Sequence, residues 1–266
     1  MSTGMSLPKS LPHQIDRTVV IHATPETVFR FFTDSARFAK WWGTGSTIDP
    51  KQGGRVFIKH PGNVESAGEV IEIQPPRRLV FSYGFVSGKP IPVGSSRVTI
   101  ELEPVRAGTR LSLTHELADK AARDEHVQGW RFQLSLFANV VADEVNAGAS
   151  KAADAWFEAW AEPDAQTRTR LLESIAAREV RFQDRYSNLD SFDDLLPHIA
   201  AAQHFMPGVR LRRNGEVRHC QGMVLCDWVA NGGDGKQIGA GTNAFVFGPT
   251  GKIEWVTGFW TPPAAT

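Results

Sequence analysis

The stretch from Asp124 to Val145, DEHVQGWRFQLSLFANVVADEV, constrains this chain more than any other. Val127, Trp130, Leu134, Phe137, Val141 and Val145 recur at steps of three and four, the spacing of one helical face. Phe132, Leu136 and Val140 form a second row on roughly the opposite side. A helix apolar on two sides needs two surfaces to pack against. Strand-rich sequence precedes it and a differently patterned segment follows. The helix is therefore expected to close one domain and lead into a second. Its first row should be gripped by the preceding sheet, and its second row covered by the second domain or a partner subunit.

The preceding residues supply that sheet. Ile15 to Ala23 alternates as a strand. Thr24 is the expected N-cap of a short helix, with Pro25 in its first turn and Val28, Phe29 and Phe32 on its apolar face. A second short helix or turn from Asp34 delivers Phe38, Trp41 and Trp42. Strands are expected at Arg55 to His60, Gly68 to Ile73, Arg78 to Phe85, Ser96 to Pro104 and Thr109 to Glu116. The last two are joined through Ala107-Gly108, a hairpin signal. A curved antiparallel sheet around a long C-terminal helix fits this order.

The second half reads differently. Helices are expected at Ala152 to Trp160, from Pro163 through Ile175, and at Ser191 to Phe205. Strands are expected at Glu179 to Asp184, Val209 to Val217, Met223 to Ala230, Gly239 to Phe247 and Ile253 to Phe259. Three helices in front of a bent antiparallel sheet make a cone with an internal pocket. The fold class is thus α+β in two domains. At 266 residues two ordinary domains fit. The expected division is an N-terminal arm at 1–14, a first domain at 15–147 and a second at 148–266.

Twenty-nine basic residues balance twenty-nine acidic ones. No net field recruits nucleic acid or an anionic membrane surface. No apolar run reaches the roughly 18 residues of a membrane span. The N-terminus lacks the apolar core of a signal peptide, so the expected location is cytoplasmic. Cys220 and Cys226 do not sit opposite one another if Gln221-Gly222 turns a hairpin, so no disulfide is expected, and both read as buried small hydrophobes. Gly-x-Gly-x-x-Gly, the P-loop, Gly-x-Ser-x-Gly and His-Glu-x-x-His are all missing, and His22, His60 and His115 are scattered. No cofactor and no metal are expected.

Residues spread over the first half carry a resemblance. Ala23-x-Pro25-Glu26-x-Val28-Phe29, Trp41-Trp42, Gly53-Gly54, Gly68-x-Val70, Pro75-Pro76-x-Arg78-Leu79-Val80-Phe81, Gly108-Thr109 and Gly129-Trp130 occur in that order. In this the first half resembles the activator-of-Hsp90-ATPase-homologue-like branch of the START-like, helix-grip superfamily. The namesake co-chaperone has a separate N-terminal domain, whereas about 14 residues precede the first expected strand here. The second half resembles the nuclear transport factor 2-like, SnoaL-like superfamily through the Trp160 helix, Phe182-x-Asp184 and the Phe192 to Ile199 helix. Asp227-Trp228, Gly241-x-Asn243 and the run from Gly251 to Phe259 belong to the same pattern. That resemblance implies small isomerases, cyclases and hydrolases, or non-catalytic binders.

Candidate site residues follow. Asp184 ends a strand where the cone should open, and related isomerases use a carboxylate near there as general base. Tyr186 would donate to an oxyanion, and Asp227 points into the pocket or outward according to strand parity. His198, His204 and His219 are further candidate donors. Trp156, Trp160, His198, Trp228, Asn243 and Phe259 are expected around the second pocket. Relatives often carry Asp where Asn243 stands, and an amide cannot act as a base. In the first domain the expected aromatic lining is Phe32, Trp41, Trp42 and Phe57, with Phe81, Tyr83, Trp130 and Phe137.

The sequence therefore reads as a binder of a small apolar molecule in two fused cavity domains. The rival readings are a cofactor-independent isomerase, cyclase or hydrolase using Asp184, and a protein-interaction or co-chaperone-like module, homodimeric through the second sheet.

Overall fold

The computed structural model describes residues 10–261. The chain divides into two compact units, the second beginning at Ala142. Residues 1–9 of the expected arm lie outside the described residues.

In the first unit β1 (His13–Ile21) leads into α1 (Pro25–Arg30) and α2 (Ser35–Trp42). Thr24 caps α1 by accepting from the Thr27 amide, and Asp34 caps α2 by accepting from the Arg37 amide. There follow β2 (Thr47–Ile48), β3 (Arg55–Lys59), β4 (Glu65–Gln74), β5 (Arg78–Tyr83), β6 (Ser96–Val105) and β7 (Gly108–Leu117), then α3 (Lys120–Val145). The strands form one antiparallel sheet in the order β1-β7-β6-β5-β4-β3-β2. Alternation dictates its faces. Ser96, Val98, Ile100 and Leu102 of β6 are buried, as are Thr109, Leu111, Leu113, His115 and Leu117 of β7.

The stripe Trp130, Leu134, Phe137 and Val141 of α3 is buried, as its spacing predicts. Phe137 stacks on Phe32 at 4.8 Å between ring centroids and meets Trp41 edge-on at 4.7 Å. Each buried ring stabilises the unit by about 1.5–3 kcal/mol. Of the second row, Phe132 is 68% exposed, while Leu136 and Val140 are half-buried.

The second unit contains α4 (Ala149–Ala161), α5 (Ala165–Ile175), β8 (Ala176–Gln183), β9 (Asn188–Leu189) and α6 (Phe192–Phe205). It ends with β10 (Arg210–Arg213), β11 (Arg218–Cys220), β12 (Met223–Asn231), β13 (Gln237–Phe247) and β14 (Ile253–Trp260). Its sheet runs β10-β12-β13-β14-β8-β9, with β11 also on β12. Three expectations change. Of the single strand expected at 209–217 only Arg210–Arg213 is strand, and a further short strand, Arg218–Cys220, follows beyond it. The pairing of β14 with β8 is parallel, with α6 and five further strands between the two in the chain. Cys220 is exposed and only Cys226 is buried; both are free thiols. The arrangement is a helix-grip unit followed by a cone-shaped, nuclear transport factor 2-like α+β unit.

Candidate functional site

Each unit holds its own pocket. That of the first unit has a volume of about 430 Å³ and is walled by Trp42, Tyr83, Phe85 and Trp130, with His60, His126 and Gln133 among its polar members. Phe132 and Glu125 also line it, and both are exposed. Gln133 is held by a hydrogen bond from its amide to the Trp41 carbonyl. The volume falls within the roughly 300–1,000 Å³ of small-molecule sites.

Behind the aromatic wall lies a connected polar network. The Trp130 indole N–H, which can only donate, bonds His115 Nδ1 at 2.9 Å. The His115 proton therefore sits on Nε2, which donates to Ser96 Oγ at 2.8 Å, and Ser96 donates to the Tyr83 carbonyl at 2.9 Å. Near the pocket, Ser66 Oγ lies 3.1 Å from the Tyr83 hydroxyl and 3.0 Å from His60 Nε2. Burial, reinforced by His126, pushes the His115 imidazole down to about 3. The same two causes lower His60, and burial raises the Tyr83 phenol to about 12 against the hydrogen bond from Ser66. At neutral pH His60, His115 and Tyr83 thus form a polar corner that carries no charge.

Of the expected lining residues of the first domain, Trp42, Tyr83 and Trp130 line this pocket. Phe32, Trp41, Phe81 and Phe137 are packed into the core, and Phe57 lies half-buried beside the Arg55 guanidinium. His60, Ser66, His115 and His126 went unrecognised in the sequence as one group. A signal existed for His115, which shares strand parity with Leu111, Leu113 and Leu117.

An aromatic-walled pocket of the second unit is smaller, about 180 Å³. Trp156, Trp160, Phe182, Trp228 and Trp260 form its aromatic walls, and Asp184 is its sole ionisable lining residue. Asp184 shares the inward parity of Val180 and Phe182 one step beyond the end of β8. Its Oδ1 accepts from the Tyr186 amide at 2.8 Å and its Oδ2 from the Trp260 indole at 3.1 Å. The Trp228 indole donates to Asn243 Oδ1 at 2.9 Å, so this amide oxygen is already engaged. Gly258 is pressed between these groups: a Cβ there would stand 3.2 Å from the Asp184 Cβ and 3.3 Å from Asn243 Oδ1.

Other expected residues stand apart from this pocket. Tyr186 is 69% exposed, and only its ring edge approaches Trp260. Asp227 turns to the opposite face of β12, where Arg218 at 3.2 Å and the Thr242 hydroxyl at 2.5 Å hold it. His198 bonds Ser187 at 2.9 Å, and His219 bonds Asp143 at 2.5 Å. His204 packs beside Phe205, and Phe259 is 57% exposed. Among the described residues no group of three or more His, Cys, Asp or Glu is placed to hold a metal ion, and no helix is long and apolar enough to cross a membrane.

A family model described as Activator of Hsp90 ATPase homolog 1-like protein matches residues 22–142, from the end of β1 to near the end of α3. No curated protein matches the chain. Solved structures similar to parts of it include a protein of the SnoaL-like family from Agrobacterium tumefaciens, 24% identical over 42% of this chain and 96% of that one, with a TM-score of 0.41. A protein from Mesorhizobium loti is 20% identical over 50% and 98%, with a TM-score of 0.45. The solution structure of the Aha1 dimer from Colwellia psychrerythraea is 19% identical over 47% and 92%, with a TM-score of 0.39.

Proposed function

We propose that this chain binds small molecules without covalent chemistry, and that its first unit takes a largely apolar ligand with one polar group. The observation that carries this reading is the 430 Å³ pocket, whose aromatic walls end in the uncharged corner of His60 and Tyr83. Apolar walls supply affinity, and a few placed polar groups orient the ligand. Native mass spectrometry of the purified full chain tests it directly by reporting retained small molecules. Titration with 8-anilinonaphthalene sulfonate supplies a probe of known structure. Saturable binding that weakens in Trp42→Ala supports the reading; no retained molecule and no saturable uptake refute it. A cytoplasmic setting belongs to the same reading and is supported by the free thiols of Cys220 and Cys226.

The enzyme reading is weaker, since Asp184 has no second ionisable group beside it in the pocket to act as acid. Homodimerisation through the second sheet is favoured by one observation. Met223, Val246 and Trp255 pair in register across β12, β13 and β14, and Met223 and Trp255 are exposed. Light scattering on the eluting protein distinguishes a dimer from a monomer.

A further inference from the structure

The sign of the charge in the second pocket is informative. Its walls combine four indole rings and the Phe182 ring with aliphatic side chains such as Leu211 and Ile238, and its one charge is the Asp184 carboxylate. Among the described residues no cation lies within salt-bridge distance of that carboxylate. The neighbouring Arg185 instead places its guanidinium over the Tyr186 ring, at 5.0 Å. The two N–H donors on Asp184, from Tyr186 and Trp260, leave lone pairs free, because a carboxylate offers about four acceptor sites.

We propose that this pocket binds a small organic cation, an alkylammonium group held between the indole rings and Asp184. Aromatic faces carry negative potential and attract cations, most strongly at Trp. A neutral apolar occupant would strip water from the carboxylate and give nothing back, which is costly for a partly buried charge. An anion would meet repulsion. A cation answers both the rings and the carboxylate. Size narrows the class further: about 180 Å³ lies below the roughly 300–1,000 Å³ of drug-sized sites, and suits a head group on the scale of choline. Gly258 contributes by leaving room where any side chain would press on Asp184 and Asn243.

The inference rests on this pocket being a ligand site, and the experiment separates the two claims. Isothermal titration calorimetry on the full chain compares choline chloride with 3,3-dimethylbutan-1-ol, the same shape with carbon in place of the charged nitrogen. Choline should bind about tenfold or more tightly than the alcohol. Asp184→Asn, which keeps an acceptor for Trp260, should cost choline about tenfold while leaving the alcohol unchanged. Equal binding of choline and alcohol to the native protein overturns the cation proposal but keeps the pocket as a site. Binding of neither overturns both. The native comparison decides the matter even if the variant fails to fold.

Discussion

Acidification should destabilise this protein through His115 in a way that one substitution can isolate. His115 is fully buried on the inward face of β7, accepting from Trp130 and donating to Ser96. Only a neutral imidazole satisfies both bonds, because a proton on Nδ1 would face the indole N–H. Burial, helped by His126, lowers its pKa from 6.5 to about 3. Since the folded value lies below the unfolded one, the unfolded chain takes up the proton first as pH falls. Stability present above pH 6.5 is therefore lost between 6.5 and about 3. Each pH unit in that window is worth about 1.4 kcal/mol, so lowering the pH to about 5 removes about 2 kcal/mol. That is a large part of the ~5–15 kcal/mol of a typical domain. Urea denaturation at neutral pH and near pH 5 would compare the wild type with His115→Gln, whose side chain does not titrate. The variant should begin about 1–3 kcal/mol less stable, through imperfect hydrogen bonds, and the gap should shrink by about 2 kcal/mol on acidification. His60 is shifted in the same direction but is present in both proteins, so its effect cancels. Parallel pH profiles would refute the neutral, buried His115.

Three further outcomes are expected. Gly241→Ala would place a Cβ 2.2 Å from the Phe259 carbonyl oxygen and 2.5 Å from the Trp228 ring, so a thermal melt should show a loss of about 1–3 kcal/mol. Asp227→Ala breaks only a solvent-screened pair with Arg218 and the bond from Thr242; denaturation should register no more than about 1 kcal/mol, and choline titration should be unchanged. Ser191→Ala removes the hydroxyl that accepts from the Asp194 amide at the start of α6, and should cost about 1 kcal/mol by the same melt.

The fold was legible in the sequence because most of it rests on local signals. The Thr24 cap, the stripe through Trp130 and Phe137, and the Gln221-Gly222 turn each follow from a few adjacent residues. What was not legible depends on which distant segments meet. The parallel pairing of β14 with β8 joins residues more than seventy positions apart, and no local pattern records it. The polar corner of the first pocket is of the same kind. His60 and Ser66 lie on or beside β3 and β4, Tyr83 on β5 and His115 on β7, so their meeting is a property of the sheet rather than of any motif. Aromatic composition alone could not tell a filled core from a lined cavity: Phe32 and Trp41 pack against Phe137, while Trp42, one residue on, lines the pocket.

Strand parity carried more functional information than residue type. Asp184 and Asp227 were both acidic residues near an expected cone, and type alone could not rank them. Counting by two from the buried Val180 and Phe182 turns Asp184 inward, whereas counting from the buried Val224, Cys226 and Trp228 turns Asp227 outward. The inward carboxylate meets indoles and no cation; the outward one meets Arg218 in partly exposed surroundings. The same chemical group thus has two physical consequences. On the outer face, solvent and a flexible arginine screen the charge, and little free energy depends on it. In the pocket, low polarity amplifies the charge, so the pocket's preference for an occupant is governed by charge sign before shape. For that reason Asp184→Asn and Asp227→Asn are informative as a pair. Each removes one unit of negative charge from the same unit, yet only the first should change choline affinity in calorimetry. If both weakened it equally, long-range attraction to a net negative surface would explain the binding, and raising the salt concentration would abolish it.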